Sequence, residues 1–358
     1  MSDLLYVATR KGLFEFKKNG EAWRAREPWF LGEPVSAVLK DPRDGTLYAA
    51  LNLGHFGPKL HRSDDDGATW TELSTPAFAA GETGEGPSLE MIWTLTAGGA
   101  DEPGALWAGV LPGAVFRSED RGETWTLNEA LWARPERERW FGGGFDQPGV
   151  HSILLDPRDS AKLTVAVSCG GVWRSEDRGA SWRLCGAGLR SEYTPPGQVD
   201  DPAMQDPHLI VACSSVPETV WCQHHNGVFV SRDGGDTFEE LKDIKPSVFG
   251  FAVAVHPSDP DTAWLVPGVK DQYRVPVDAR FIVNRTRDGG RTFEALSDGL
   301  PDEPSYDLVY RHSLDVSDDG ERLAMGSTTG NLWIGEDGGE SWRQVSAYLP
   351  PIAAVAFG

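Results

Sequence analysis

Apolar and polar positions alternate along this chain in short bursts that turns interrupt. Residues 150–156 form an apolar run of strand length and end in the turn Pro157-Arg158-Asp159. Residues 162–168 alternate with Val and Thr, a second strand signal. Gly170-Gly171 turns the chain, and Val172-Trp173-Arg174 reads as a third strand. Asp177-Arg178-Gly179 is another turn, and Ser181-Trp182-Arg183-Leu184 opens a fourth strand. The pattern predicts four short antiparallel strands that build outward from the first.

This unit recurs. Its third turn carries the box Ser/Thr-x-Asp-x-Gly-x-Thr/Ser-Trp/Phe, found at 63–70, 118–125, 175–182, 231–238, 286–293 and 335–342. In the last box Gly335 replaces the hydroxyl residue. The central aspartates are Asp65, Asp120, Asp177, Asp233, Asp288 and Asp337, spaced 55, 57, 56, 55 and 49 residues apart. A fixed period of this size marks a repeat architecture. In each box the carboxylate suits backbone N–H groups of its own turn, the glycine permits a left-handed backbone, and the closing aromatic buries a large face. These aspartates therefore read as structural, since each box supplies one well-placed carboxylate and no metal-binding cluster.

A degenerate box lies near the start. Gly12 and Trp23 are 11 residues apart, as are Gly171 and Trp182, and Lys18 stands at the Asp position. The chain thus begins on the second strand of a unit. Residues 351–357 look like the missing first strand and should pair with residues 4–9. The expectation is an all-β, seven-bladed β-propeller of four-stranded blades over residues 1–358, with blade 1 closed by the C-terminal strand.

Composition narrows the partners. With 33 basic and 54 acidic residues the formal net charge is −21, which repels nucleic acid and anionic membrane surfaces. No apolar run has the length of a membrane span. The N-terminus lacks the features of a secretion signal, so a cytoplasmic location is expected. Cys169, Cys185, Cys213 and Cys222 match no zinc spacing. Cys213 and Cys222 are expected opposite each other on one hairpin, as free thiols.

The boxes resemble the Asp-box, or BNR, repeats of sialidases and related glycoside hydrolases. They are also similar to repeats of xyloglucanase-like propellers, sortilin-type receptor domains and a photosystem assembly factor. The resemblance implies a propeller throughout and leaves hydrolase, receptor and assembly roles open. It departs from sialidases in two ways. Their early Arg-Ile/Leu-Pro motif has its nearest match here at Arg274-Val275-Pro276, in the sixth blade, and they are typically six-bladed. True sialidase activity is therefore not expected.

A site is expected on the face opposite the boxes, where the long loops 74–89, 128–149 and 186–207 lie. Aligning the first strands of the blades makes Ser36, His151, His208 and Phe251 equivalent, with Trp93 and His312 at the same level. Three roles are open to His151, His208 and His312: ligands of a divalent transition metal at the channel mouth, acid–base groups working with a carboxylate such as Glu90, Asp146, Asp206 or Asp307, or packing at the rim. Trp93 is expected as an apolar or stacking wall. Candidate substrate contacts are Arg10 and Lys11, His55, His224, Tyr273 with Arg274 and Arg280, and Arg311, the arginines suiting a carboxylate. At most one of His224 and His225 should reach the site, because neighbours on a strand face opposite ways. The segment 134–144, ending in Gly142-Gly143-Gly144, reads as a lid with a glycine hinge.

These residues support a glycoside-hydrolase-like or lyase-like enzyme acting on a small polar, carbohydrate or carboxylated ligand. The alternative is a non-catalytic propeller that binds a protein partner on the same face.

Overall fold

The computed structural model describes residues 2–79 and 86–358. The chain is an all-β, seven-bladed propeller, and each blade is a four-stranded antiparallel sheet. The strands of the worked unit are Val150–Asp156, Asp159–Val167, Gly171–Ser175 and Arg183–Cys185, adjacent in that order. In blade 1 the strand Ile352–Phe357 pairs antiparallel with Leu4–Thr9, with Val7 opposite Val355.

Two compact units make up the chain. The first holds blades 1, 5, 6 and 7, with residues 1–32, 188–192 and 207–358. Its core interleaves apolar residues of successive blades, including Trp264, Phe281, Met325 and Trp333. The second holds blades 2, 3 and 4, with residues 33–187 and 193–206. Tyr48, Leu60, Leu106 and Phe116 pack together there, as do Trp107, Val165, Trp173 and Trp182.

The boxes close their turns through a repeated set of bonds. Asp177 accepts from Ser181 N and Ser175 Oγ, both at 2.8 Å, and its other oxygen accepts from Ser181 Oγ at 2.5 Å. Ser175 Oγ in turn accepts from Gly179 N at 2.8 Å, and Gly179 has φ +80°. The Ser181 hydroxyl and amide hold the Asp177 carboxyl below the usual carboxylate range, and the Thr292 amide draws Asp288 down to about 2. Asp337 keeps only the bonds from Ser341, since Gly335 offers no hydroxyl. At the degenerate box Lys18 instead pairs with Glu336 at 2.7 Å, and Trp23 Nε1 donates to the same carboxylate at 3.0 Å.

Two expectations need correction. Cys213 and Cys222 share a hairpin but are not opposite: Cys213 faces Val216 and Cys222 faces Ile210. All four cysteines are free and buried. The segment 134–144 is not a free lid over its charged half. Arg137 lies 3.4 Å from the Trp132 ring centroid and donates to the carbonyls of Trp132 and Gly113. Trp140 packs edge-on against Trp173 at 5.9 Å. Burial draws the Arg137 guanidinium down to about 10.

Asp315, on the strand Leu314–Val316, accepts from Phe357 N of the closing strand at 2.8 Å. Burial pushes its carboxyl up to about 6. A raised folded pKa means that protonation favours the fold. That stability is complete below the unfolded value near 3.8 and is lost as pH rises through 6. Asn keeps the acceptor without the charge. Asp315→Asn should therefore stabilise the protein by about 2 kcal/mol at pH 8 and by nothing at pH 4. Urea unfolding at the two pH values checks this.

Candidate functional site

The first strands of five blades share an irregularity at the aligned positions. Register skips Ser36 between Val35 and Ala37, Trp93 between Ile92 and Thr94, His151 between Val150 and Ser152, and His208 between Pro207 and Leu209. In blade 6 the skip between Gly250 and Val253 takes in Phe251. A β-bulge re-aims its side chain and breaks strict alternation. The aligned positions are therefore equivalent in backbone as well as in sequence. His312 differs: it sits in the 3₁₀ turn Arg311–Ser313, before the strand Leu314–Val316.

In the second unit the long loop after blade 3 shapes the surroundings of Trp93 and His151. Asn128 caps the short helix Glu129–Trp132 by accepting from Leu131 N at 2.9 Å, and it also accepts from Trp182 Nε1. Past the fastened segment the chain emerges at Phe145, Asp146 and Gln147, all exposed. The Phe145 ring, 44% exposed, meets Trp93 edge-on at 5.0 Å. Gln147 Nε2 donates to exposed Glu90 at 3.4 Å. Asp146 follows Phe145 in the chain, and Glu90 is bonded to the next residue, Gln147.

Behind Trp93 the His151 ring stands edge-on at 5.5 Å. It is fully buried and shares a hydrogen bond between Nδ1 and Ser152 Oγ at 2.9 Å. The loop after blade 4 adds Tyr193, 41% exposed, whose ring lies 6.1 Å from Phe141. Asp206 is buried and accepts from Ser168 Oγ and Cys169 N at 3.2 and 3.1 Å. Burial pushes the Cys169 thiol well up, so it stays protonated. His55 is exposed in the turn Gly54–Phe56, its ring 3.9 Å from that of Phe56.

In the first unit His208 is buried and stacks on Phe251 at 4.5 Å, with the rings 13° from parallel. Its Nδ1 lies 2.7 Å from the carbonyl oxygen of Gly250, so Nδ1 carries the proton. His225, not His224, is the neighbour that meets it, with ring centroids 5.3 Å apart. His224 is fully buried, accepts from Asn226 N at 3.1 Å and packs on Phe229. The adjacent imidazoles of His208 and His225 are the ligand type a transition metal takes.

The same ring of Phe251 gathers charge. The guanidinium carbons of Arg274 and Arg311 lie 5.3 and 5.4 Å from its centroid, and Tyr310 stands against it at 4.9 Å. Arg274 pairs with Asp271 at 2.8 Å and donates to Tyr310 Oη at 3.2 Å. Tyr273 is exposed beside Lys270, whose Nζ is 5.1 Å from its ring. Asp307 is spent on structure. Burial opposes its charge, but Ser305, Ser327, Thr329 and Asn331 all donate to it and hold it below the ordinary range. Arg10 and Lys11 are exposed in the turn between the first two strands they join, and Arg280 is exposed after the turn Val277–Ala279.

No family model matches the chain. It is similar to a probable oligoxyloglucan-reducing end-specific xyloglucanase of Neosartorya fischeri, with 25% identity over 90% of this chain and 40% of that protein. Among solved structures it is similar to an ancestral GH74 enzyme, with a TM-score of 0.63 and 14% identity over 87% of this chain and 38% of that one. It is also similar to YCF48 from Cyanidioschyzon merolae, with a TM-score of 0.54 and 13% identity over 88% of this chain and 87% of that one. At these identities the structural likenesses establish the fold. The chain spans about two-fifths of the length of the curated xyloglucanases it matches.

The sequence singled out Trp93 and Glu90 and left His224 and His225 as alternatives, of which His225 is the one beside His208. It did not single out Phe145, Tyr193 or Phe141, which the long loops flagged only as a region. Nothing in the spacing showed which aromatic of those loops would stand exposed.

Proposed function

We propose that the chain is a glycoside-hydrolase-like enzyme that acts on carbohydrate at the aromatic shelf of its second unit. The observation that supports this most is the pair of exposed rings, Phe145 and Tyr193, standing on the two long loops beside Trp93 and Phe141. Exposed rings on a site-forming loop offer the flat apolar face on which a sugar stacks. Glycosidic bond cleavage needs two carboxyl groups, one to protonate the leaving oxygen and one to act as nucleophile or base. Glu90 and Asp146 are the exposed carboxylates at this shelf. The similarity to oligoxyloglucan-acting proteins over most of the chain agrees with a carbohydrate substrate.

His151 then serves as a buried support that orients Trp93. Phe145→Ala and Tyr193→Ala should each weaken binding of xyloglucan oligosaccharides about tenfold while leaving the melting temperature nearly unchanged, since each removes a stacking surface of roughly 1–3 kcal/mol. Calorimetric titration of both variants checks this. Unchanged affinity in both would move the site elsewhere.

A further inference from the structure

The first unit holds a pair of imidazoles that the carbohydrate shelf does not use. His208 comes from the bulged start of the strand Pro207–Cys213, and His225 from the turn between the strands Val216–His224 and Gly227–Ser231. Two separate elements thus bring the rings to a centroid distance of 5.3 Å, 77° from parallel. The ring nitrogens include a pair, one from each residue, within 4.8 Å of each other. Two nitrogens bound to one ion at about 2.0–2.1 Å each stand at most about 4.2 Å apart. A slight turn of the half-buried His225 side chain closes the remaining gap.

His208 is already set as a ligand. Its Nδ1–H donates to the Gly250 carbonyl at 2.7 Å, which puts the lone pair on Nε2. Metal-binding histidines are characteristically held in this way, through a carbonyl or carboxylate on the nitrogen that does not touch the ion. Stacking on Phe251 at 4.5 Å fixes the plane of the ring.

The surroundings suit an ion that enters from solvent. Phe249 stands edge-on to both imidazoles, 5.7 Å from His208 and 5.9 Å from His225. An apolar wall of this kind limits water at a metal site and lowers the local dielectric. His208 is buried, whereas the partial exposure of His225 gives the pair a path to solvent. The guanidiniums of Arg274 and Arg311 lie over Phe251 instead, and Asp271, 2.8 Å from Arg274, offsets the charge of that arginine. The net charge of −21 draws cations to the protein as a whole. Mg²⁺ seeks oxygen ligands and gains little from imidazoles, while Cu²⁺, Ni²⁺ and Zn²⁺ favour them. We infer that His208 Nε2 and a ring nitrogen of His225 bind a divalent transition-metal ion, Cu²⁺ most tightly. Two protein ligands leave coordination positions for water or for an oxygen of a bound molecule. This site goes beyond the proposed carbohydrate shelf and shares none of its residues.

The test is calorimetric titration of the full chain with Cu²⁺, Zn²⁺ and Mg²⁺. Cu²⁺ should bind most tightly, Zn²⁺ more weakly and Mg²⁺ not measurably. His225→Ala should weaken the tightest Cu²⁺ binding at least about tenfold and leave the melting temperature of the ion-free protein nearly unchanged, because the residue is half-buried in a turn. His55→Ala, which removes an exposed histidine of the second unit, should leave the affinity as it was. The electron paramagnetic resonance spectrum of the one-to-one Cu²⁺ complex should show splitting from two imidazole nitrogens. That splitting should fall to one nitrogen in His225→Ala and in His208→Gln, and the native spectrum identifies the ligands even if the buried substitution lowers stability. Failure of the native chain to bind Cu²⁺ or Zn²⁺ overturns the inference. So does Mg²⁺ matching Cu²⁺, His225→Ala retaining the native affinity, or a native spectrum without imidazole splitting.

Discussion

A chain ending at Leu349 should lose its cooperative unfolding transition. The removed residues include the strand Ile352–Phe357, which supplies one whole edge of blade 1. Ile352, Ala354 and Val355 are each more than nine-tenths buried, and Ile352 and Val355 pack in one cluster with Leu5, Val7, Phe16 and Trp23. Ile352 also fills the space over Gly326, where an added Cβ would lie 2.5 Å from it. Burial of one such aliphatic side chain contributes about 1.5–3 kcal/mol, so removing the cluster costs on the order of 5 kcal/mol before the ladder bonds to Leu4–Thr9 are counted. Domains hold only about 5–15 kcal/mol in total. The truncation also uncovers the edge of Leu4–Thr9, inviting aggregation. Thermal melting and size-exclusion chromatography read both effects. A truncated chain that melts sharply within a few degrees of the full one would show that the closing strand contributes little.

The second large effect is catalytic. Glu90→Gln and Asp146→Asn should each reduce hydrolysis of a xyloglucan oligosaccharide by at least about 100-fold, because each removes a carboxyl group for which nearby amides cannot substitute as acid or nucleophile. Neither residue is buried, so the fold should be unaffected. Oligosaccharide affinity should change by less than about threefold if, as proposed, Phe145 and Tyr193 supply the stacking. Loss of turnover with retained binding distinguishes a chemical role from a positional one. Comparable loss of affinity and turnover would instead make the two carboxylates substrate ligands.

Most of the fold was legible in the sequence because its determinants are local. Each box sets its turn through bonds that reach no more than four residues, such as Ser181 N to Asp177. Ring closure was legible because residues 351–357 had strand character and no partner in their own repeat. The site was less legible, and the reason is the bulge. Alternation assigns faces only while the register holds, and the register slips at Trp93, His151, His208 and Phe251. The aligned positions were found because their turns are anchored by proline. Their surroundings depend on loop side chains that no periodicity governs. The choice between His224 and His225 illustrates this. Parity allowed only one of them near the site, and the turn after His224, where His225-Asn226 leads into Gly227–Ser231, places His225 beside His208.

Physical roles also separated residues that look alike in sequence. Asp307 and Asp146 both lie in long connections, but Asp307 accepts from four side chains, and Asp146 stands exposed next to Phe145. The first is anchored by its donors, and the second is exposed to solvent. His151 and His208 are both buried, and each has its Nδ1 in a hydrogen bond.

The most direct test of the carbohydrate reading is a mass-spectrometric product analysis of xyloglucan oligosaccharides incubated with the full chain and with a Glu90→Gln, Asp146→Asn double variant. The account predicts shortened oligosaccharides with the native protein and none with the variant. Intact oligosaccharides in both samples, or equal shortening in both, would contradict it.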